Sequence, residues 1–375
     1  MRPVIVAGVG MTRFGWPVPD RMGALAGEAA RQAIADAEID PRRLEAVYAG
    51  SALSTAGLAQ KTLVEIGLAV GIPAINVENA CASGSTALYL AWQAVASGQH
   101  AAVVVVGAEK LSLSGKGPLP LDADALAEAP ALTFPAWYAL KANRLVLSGA
   151  ATKEDLALVA VKNRQNGALN PYAQQREPVS LEAVLGSRLI ADPLTLLQCC
   201  PPSDGAAAAV VCSEAVARSL GVIPVRIAAM ALRSGRPHGL LPESTAGAAR
   251  AAYEQAGIGP EDVAVAEVHD AFTVAEILHY EALGFCGPGE GVGLLRDRVT
   301  WLGGRLPVSP GGGLIARGHP PGATGLAQIA ELTWQLRGQS GQRQVNGARV
   351  GLAHTQGASV PTLEANATCV TLLVV

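Results

Sequence analysis

The chain has 375 residues, half of them hydrophobic, with 16% charged residues and a net charge of -3. That is ample for a large core in two or more domains, and it excludes an intrinsically disordered chain. No basic stripe is present, which excludes nucleic acid as a partner.

Arg2-Pro3-Val4-Ile5-Val6-Ala7-Gly8-Val9-Gly10 reads as a first strand and turn, too short for a signal-peptide core. No run of ~20 apolar residues predicts a membrane span. The six cysteines, at 81, 199, 200, 212, 286 and 369, form no CxxC pair, so neither a structural zinc site nor any other metal is expected. Free thiols fit a reducing cytoplasm.

From Ala30 to Pro41 the pattern is an amphipathic helix ending in a Pro turn, followed by a buried strand at Leu44-Glu45-Ala46-Val47. A β-like run, Ile75-Asn76-Val77, then enters the tight turn Glu78-Asn79-Ala80-Cys81. A helix-like run, Ala82-Ser83-Gly84-Ser85-Thr86-Ala87, leaves it. Cys81 thus sits at a helix N-terminus, where free backbone N–H groups and the helix dipole favour a thiolate. A thiolate on a sharp strand-to-helix turn is a good nucleophile toward thioesters. The strand Ala102-Val103-Val104-Val105-Val106-Gly107 follows.

Residues 111–202 break the pattern with Gly/Pro-rich loops and a helical stretch from Lys153 to Asn170, as an insertion shaping a pocket would. Cys199 and Cys200 are adjacent, with one expected to pack inward. A turn at Ser219-Leu220-Gly221-Val222-Ile223-Pro224 then marks a boundary, giving halves 1–221 and 222–375.

The second half echoes the first. Residues 249–260 repeat the helix-and-Pro pattern of residues 30–41, an offset of 219. His319-Pro320-Pro321-Gly322-Ala323-Thr324-Gly325 answers the Cys81 turn at an offset of 238, and the strand Arg349-Val350-Gly351-Leu352-Ala353-His354 follows it. Cys81 and His319 therefore occupy equivalent turns. The expectation is a duplicated α/β fold of βαβαβ-type halves, with both residues facing one active site.

These motifs carry a resemblance. Asn79-Ala80-Cys81-Ala82-Ser83-Gly84, Glu267-Val268-His269-Asp270-Ala271-Phe272 and Gly318-His319-Pro320-Pro321-Gly322-Ala323-Thr324-Gly325 are together specific. Ser203-Asp204-Gly205-Ala206-Ala207-Ala208 and Val161-Lys162-Asn163-Arg164 with Asn170-Pro171 agree with them. Over essentially its whole length the chain resembles the thiolase superfamily, in particular the sterol-carrier-protein or lipid-transfer type. The resemblance implies a five-layered αβαβα sandwich, a homodimer or dimer of dimers, and a coenzyme A thioester as substrate with no tightly bound cofactor. It also implies Cys81 as the acylated nucleophile, His319 as its base and oxyanion donor, and His269 as an oxyanion-site residue. Asp270 reads as architectural.

Such thiolases use a second cysteine, either after His-Asp or in a C-terminal Cys-x-Gly loop. Here those positions read Ala271 and His354-Thr355-Gln356-Gly357-Ala358. His354 is the candidate replacement, as a second acid/base or a pocket wall. The Cys81, His269 and His319 set is also similar to the Cys-His-His set of decarboxylating condensing enzymes. Candidates for binding the coenzyme A moiety are Lys110, Lys116, Lys141, Arg144, Arg233 and Gly313. The functional expectation is an acyl-CoA C-acyltransferase acting on a carbon–carbon bond. The alternatives are a thiolase-like retro-aldolase with an OB-fold, zinc-ribbon partner protein, and a non-catalytic acyl-CoA or lipid-binding homologue.

Overall fold

The structure, a computed structural model, describes residues 2–53, 56–68, 71–114, 133–236, 242–358 and 364–375. Its first half contributes strands β1 (Val4–Met11), β2 (Val47–Gly50), β3 (Ala74–Val77) and β4 (Ala102–Lys110), a small hairpin of β5 (Leu189–Ala191) and β6 (Leu194–Thr195), and β7 (Asp204–Ser213). The second contributes β8 (Val225–Arg233), β9 (Val265–Glu267), β10 (Val350–Gly357) and β11 (Ala367–Val374). The helices in chain order are α1 (Met22–Asp36), α2 (Leu58–Glu65), α3 (Ser83–Ser97), α4 (Phe134–Leu147), α5 (Lys153–Ala168), α6 (Leu181–Leu185) and α7 (Glu214–Leu220). They continue as α8 (Glu243–Ala256), α9 (Thr273–Ala282), α10 (Gly291–Arg296), α11 (Gly313–Arg317) and α12 (Pro321–Arg337).

Among the described residues the main sheet runs β3-β2-β4-β7-β1-β8-β11-β10-β9. Its two ends match. β2 pairs in parallel with β3 and β4, and β9 pairs in parallel with β10 and with Val308. β7 lies antiparallel between β4 and β1, and β11 lies antiparallel between β10 and β8. The halves join where Ile5 and Val6 of β1 meet Arg226 and Val225 of β8. The duplication read from sequence is thus a duplication of strand order and direction.

Strand alternation builds the layers. Val103 and Val105 of β4 and Ala207, Ala209 and Val211 of β7 share one core with α3 and α12. On the opposite face, Val104, Val106, Ala206, Ala208 and Val210 share another with α1 and α2. In the second half Ala353 and Cys369 face the central helices, while Leu352, Val370 and Leu372 pack with α8 and α9. The result is the five-layered sandwich, with α3 and α12 as its middle layer. Both faces of the strands are buried, which explains their unbroken apolar sequences. The segment expected as an insertion supplies α4, α5, α6 and the hairpin. Tyr138, Ala139 and Leu156 from it pack on the second half's outer core. Among the described residues no helix is long and apolar enough to cross a membrane.

The middle layer requires glycine. A Cβ on Gly84 would lie 2.4 Å from the Gly322 carbonyl oxygen, and one on Gly107 would lie 2.2 Å from the same atom. Gly84→Ala is therefore expected to cost about 1–3 kcal/mol by overpacking. Urea unfolding should show a lower midpoint at unchanged slope, and an unshifted midpoint would refute the tight crossing.

Candidate active site

Cys81 lies in a short 3-10 turn, Ala80–Ala82, between β3 and α3. Ala80 before it holds φ at 48°, a left-handed conformation unusual for alanine. Asn79 N–H donates to Ser83 Oγ at 2.9 Å, and Ser83 Oγ donates to the Ala80 carbonyl at 2.6 Å, bracing the turn. The equivalent turn before α12 presents His319, whose backbone N–H donates to Ser203 Oγ at 2.9 Å. The two turns meet, and His319 Nε2 lies 3.2 Å from Cys81 Sγ.

The proton positions follow from the hydrogen bonds. Thr324 Oγ1 donates its single proton to the Pro320 carbonyl at 3.0 Å. It is also 2.7 Å from His319 Nδ1 and can only accept there. Nδ1 therefore carries the ring proton, and Nε2 presents a lone pair to the thiol. Burial holds His319 well below its ordinary pKa, with His269 and Arg317 adding to the effect, so the ring is neutral. Burial also pushes the Cys81 thiol up to about 12, and the Glu109 carboxylate pushes the same way. This corrects the expectation of a resting thiolate. The N–H of Cys81 itself, at the helix terminus, and the N–H of Ala358, just after β10, do act on the sulfur, but desolvation outweighs them. The resting pair is a neutral thiol and a neutral imidazole.

His269 follows β9. Its ring packs edge-on against His319 with centroids 5.1 Å apart, and burial pushes its pKa down to about 3. Its neighbours set its place. Glu267 pairs with Arg317 at 2.7 Å, both fully buried. Asp270 accepts from Asn163 Nδ2 at 2.6 Å and from Leu314 N–H, at the start of α11, at 2.6 Å. Asp270 is architectural, as expected: it ties the His269 loop to the helix preceding His319.

Cys81, His269 and His319 border a cavity of about 480 Å³. Its walls are largely apolar, with Trp16, Phe134, Tyr138, Leu196 and Phe272 among them. The site can activate a thiol as it attacks, and it can hold an acyl group out of water. The ligand atoms of Cys81, His269 and His319 lie within 4.8 Å of one another, a spacing a soft divalent ion could bridge. Such an ion would compete for the same lone pairs that attack requires.

His354 does not border this cavity. It sits on the far side of the His269 backbone, whose N–H donates to His354 Nδ1 at 3.4 Å, while His354 Nε2 lies 3.0 Å from Thr245 Oγ1. The alternation of β10 turns it toward α8 and α9, away from Cys81, which corrects its reading as a second acid/base or a pocket wall.

The coenzyme A candidates scatter. Lys110 is drawn inward by the Val18 carbonyl and by Asp204 at 3.3 Å. Lys141 is buried over the rings of Trp137 and Tyr138, which brings its pKa down to about 8. Gly313, with φ at 58°, is needed for packing, since a Cβ there would lie 2.2 Å from Asp270 Oδ2. These three are corrected from ligand contacts to internal ones. Arg144 is exposed on α4, and Arg233 borders a separate cleft with Arg236 and Arg250. Lys116 lies outside the described residues. Sequence reasoning missed Thr324, the Ala358 N–H, Glu109 and the cavity position of Cys200. Thr324 stands inside the His319 motif, but only geometry shows its hydrogen bonds.

Family models and known proteins match the chain over most of its length. The family model "Thiolase, N-terminal domain" matches residues 4–215, and "Thiolase C-terminal domain-like" matches 233–371. The benzoylsuccinyl-CoA thiolase subunit BbsB of Thauera aromatica is 40% identical, with 95% of each chain covered. An acetyl-CoA acetyltransferase of Methanothermobacter thermautotrophicus is 41% identical over 95% of this chain and 97% of its own. Human sterol carrier protein 2 is 38% identical over 95% of this chain and 70% of its own. Among solved structures, the Ltp2-ChsH2(DUF35) aldolase superposes with a TM-score of 0.86 at 30% identity, covering 99% of this chain and 97% of that one. Human mitochondrial 3-ketoacyl-CoA thiolase in complex with CoA shares the fold, with a TM-score of 0.77 at 18% identity over 100% of this chain and 98% of that one.

Two outcomes are expected. Alkylation of Cys81 by iodoacetamide should accelerate about tenfold per pH unit between pH 7 and 9. A plateau from pH 6 upward would instead indicate a resting thiolate–imidazolium pair. Stability should fall below pH 6.5, because the unfolded state takes up protons that the buried histidines refuse. His269 is depressed to about 3 in the folded state. It therefore contributes full stability above pH 6.5 and loses about 1.4 kcal/mol per pH unit between 6.5 and 3. Denaturant titrations at pH 5 and pH 7.5 measure this.

Proposed function

Because the chain belongs to the thiolase family, we propose that it is an acyl-CoA C-acyltransferase of the acetyl-CoA acetyltransferase type. It makes or breaks a carbon–carbon bond through an acyl-Cys81 intermediate. The observation that carries this reading is the 3.2 Å contact of Cys81 Sγ with a His319 nitrogen whose lone pair is fixed by Thr324, at the edge of an apolar cavity.

In this reading His319 Nε2 takes the Cys81 proton as the sulfur attacks a β-ketoacyl carbonyl. A neutral thiol suits that timing, since the thiolate forms only when an electrophile is in place. The N–H groups of Cys81 and Ala358 converge near the sulfur, where an oxyanion on the acyl carbon would develop. His269 and the imidazolium of His319 hold the enolate oxygen of the departing thioester. His354 and Asp270 keep the His269 loop in place. The usual second cysteine is absent from both family positions. The cytoplasmic setting and the homodimer belong to the same proposal.

A second reading is a thiolase-like retro-aldolase working on a β-hydroxyacyl-CoA with an OB-fold partner protein. The likeness to the Ltp2-ChsH2(DUF35) aldolase favours it. The intact Cys81–His319 pair favours the first reading.

Incubation with acetyl-CoA and longer acyl-CoA thioesters should leave a covalent acyl adduct by intact mass. Cys81→Ala should abolish it, and His319→Ala should slow its formation by about 10²–10⁴-fold. No adduct from any donor would sink the acyltransferase reading. Aldehyde or ketone release from a β-hydroxyacyl-CoA by Cys81→Ala would establish the aldolase.

A further inference from the structure

A carbon–carbon cleavage that runs through acyl-Cys81 leaves an enolate, and some group must deliver a proton to its carbon. That requirement rests on the acyltransferase reading above. Neither Ala271 nor the loop after His354 offers a thiol. The structure brings one to the same place from another segment. The strap before β7 pairs with the His269 loop, where Cys199 bridges Phe272 and the Cys200 N–H donates to the Ala271 carbonyl at 2.9 Å. Adjacent strands are about 5 Å apart, so Cys200 lies one strand spacing from the residue that follows His-Asp. It borders the same cavity as Cys81, His269, Ala271 and His319.

We propose that Cys200 is the second catalytic thiol, protonating the α-carbon in cleavage and deprotonating it in condensation. Cys199 is not equivalent, since its sulfhydryl is directed to the Thr195 carbonyl at 3.4 Å. Among the described residues the Cys200 sulfur has no hydrogen-bond partner but its own backbone N–H, which leaves its proton available for transfer. Burial, then Cys199, Cys81 and Asp270, push that thiol well above its ordinary range, so it rests protonated, as an acid must.

The steps balance. His319 takes the Cys81 proton, and the sulfur adds to the β-carbonyl. The Cα–Cβ bond breaks, leaving acyl-Cys81 and an enolate thioester. The Cys200 S–H gives its proton to the enolate carbon. The Cys200 thiolate then takes the proton of incoming CoA–SH, whose sulfur displaces the acyl group from Cys81. The imidazolium of His319 returns a proton to the departing Cys81 sulfur. No oxidant or reductant is needed.

The test separates the two sulfurs. Acetyl transfer from acetyl-CoA to Cys81, read by intact mass, needs no α-carbon chemistry. Cleavage of acetoacetyl-CoA by CoA in D2O, read by rate and by deuterium in the acetyl methyl group, does. Cys200→Ala and the near-isosteric Cys200→Ser should still form the acetyl adduct on Cys81, because the departing CoA thiolate can take its proton from water, yet cleave at least 100-fold more slowly. The double variant Cys200→Ala/Ala271→Cys should recover at least tenfold, a rescue that a merely structural Cys200 would not show. Wild-type cleavage by both single variants, with Cys81 still acetylated, would overturn the proposal. Failure of the wild-type protein to acylate Cys81 would instead remove the acyltransferase reading, and this assignment with it.

Discussion

Two helix N-termini meet across Gly84 and Gly322 at a separation that leaves no room for a side chain, and the approach of Cys81 to His319 follows from that crossing. A Cβ on Gly325 would lie 1.9 Å from Ser85 Oγ, so the approach is close over more than one turn. Glu109 reinforces it, accepting from Ala52 N–H at 2.7 Å in the first half and from Gly322 N–H at 3.3 Å in the second. Because α3 and α12 form the middle layer, their preceding turns are pressed together. Cys81 from one half then lies against His319 from the other.

That middle position also sets the electrostatics. A helix N-terminus at the surface lowers the pKa of a thiol, but here the same terminus is enclosed by two half-sheets. The cost of placing a charge in that interior exceeds the favourable interaction with a few N–H groups. The site therefore holds neutral partners whose hydrogen bonds are already in the geometry of proton transfer. Buried ion pairs lie nearby, Lys162 with Glu276 at 2.7 Å and Arg317 with Glu267 at 2.7 Å. The second pair ties the strand before His269 to the helix before His319.

Residues far apart in the chain gain their meaning from this enclosure. Asp270 joins Asn163 of the inserted segment to the start of α11. Tyr138 of α4 stacks on Phe272 with centroids 4.5 Å apart, closing one wall of the cavity. This segment thus completes a wall of the cavity while it covers the second half's outer core. Two of the five cations proposed from sequence for the coenzyme A moiety, Lys110 and Lys141, are taken up by internal contacts, because isolated lysines carry no spacing signal. Lys110 and Lys141 look alike on paper, yet one neutralises Asp204 and the other packs on aromatic rings.

Periodicity and local motif were legible in the sequence alone. The repeats at offsets of 219 and 238 predicted the duplicated halves and the equivalence of Cys81 with His319, because helix and strand patterns are local properties. The same reading placed Asp270 as architectural. What only the tertiary structure decided were the quantities that depend on enclosure and on segments meeting across space. These include the neutral state of Cys81, the Thr324 bond that orients His319, the turning of His354 away from the cavity, and the arrival of Cys200 beside Ala271. Desolvation depends on everything that surrounds a group, and strand pairing joins residues about 70 positions apart, so neither can be read from a local window of sequence.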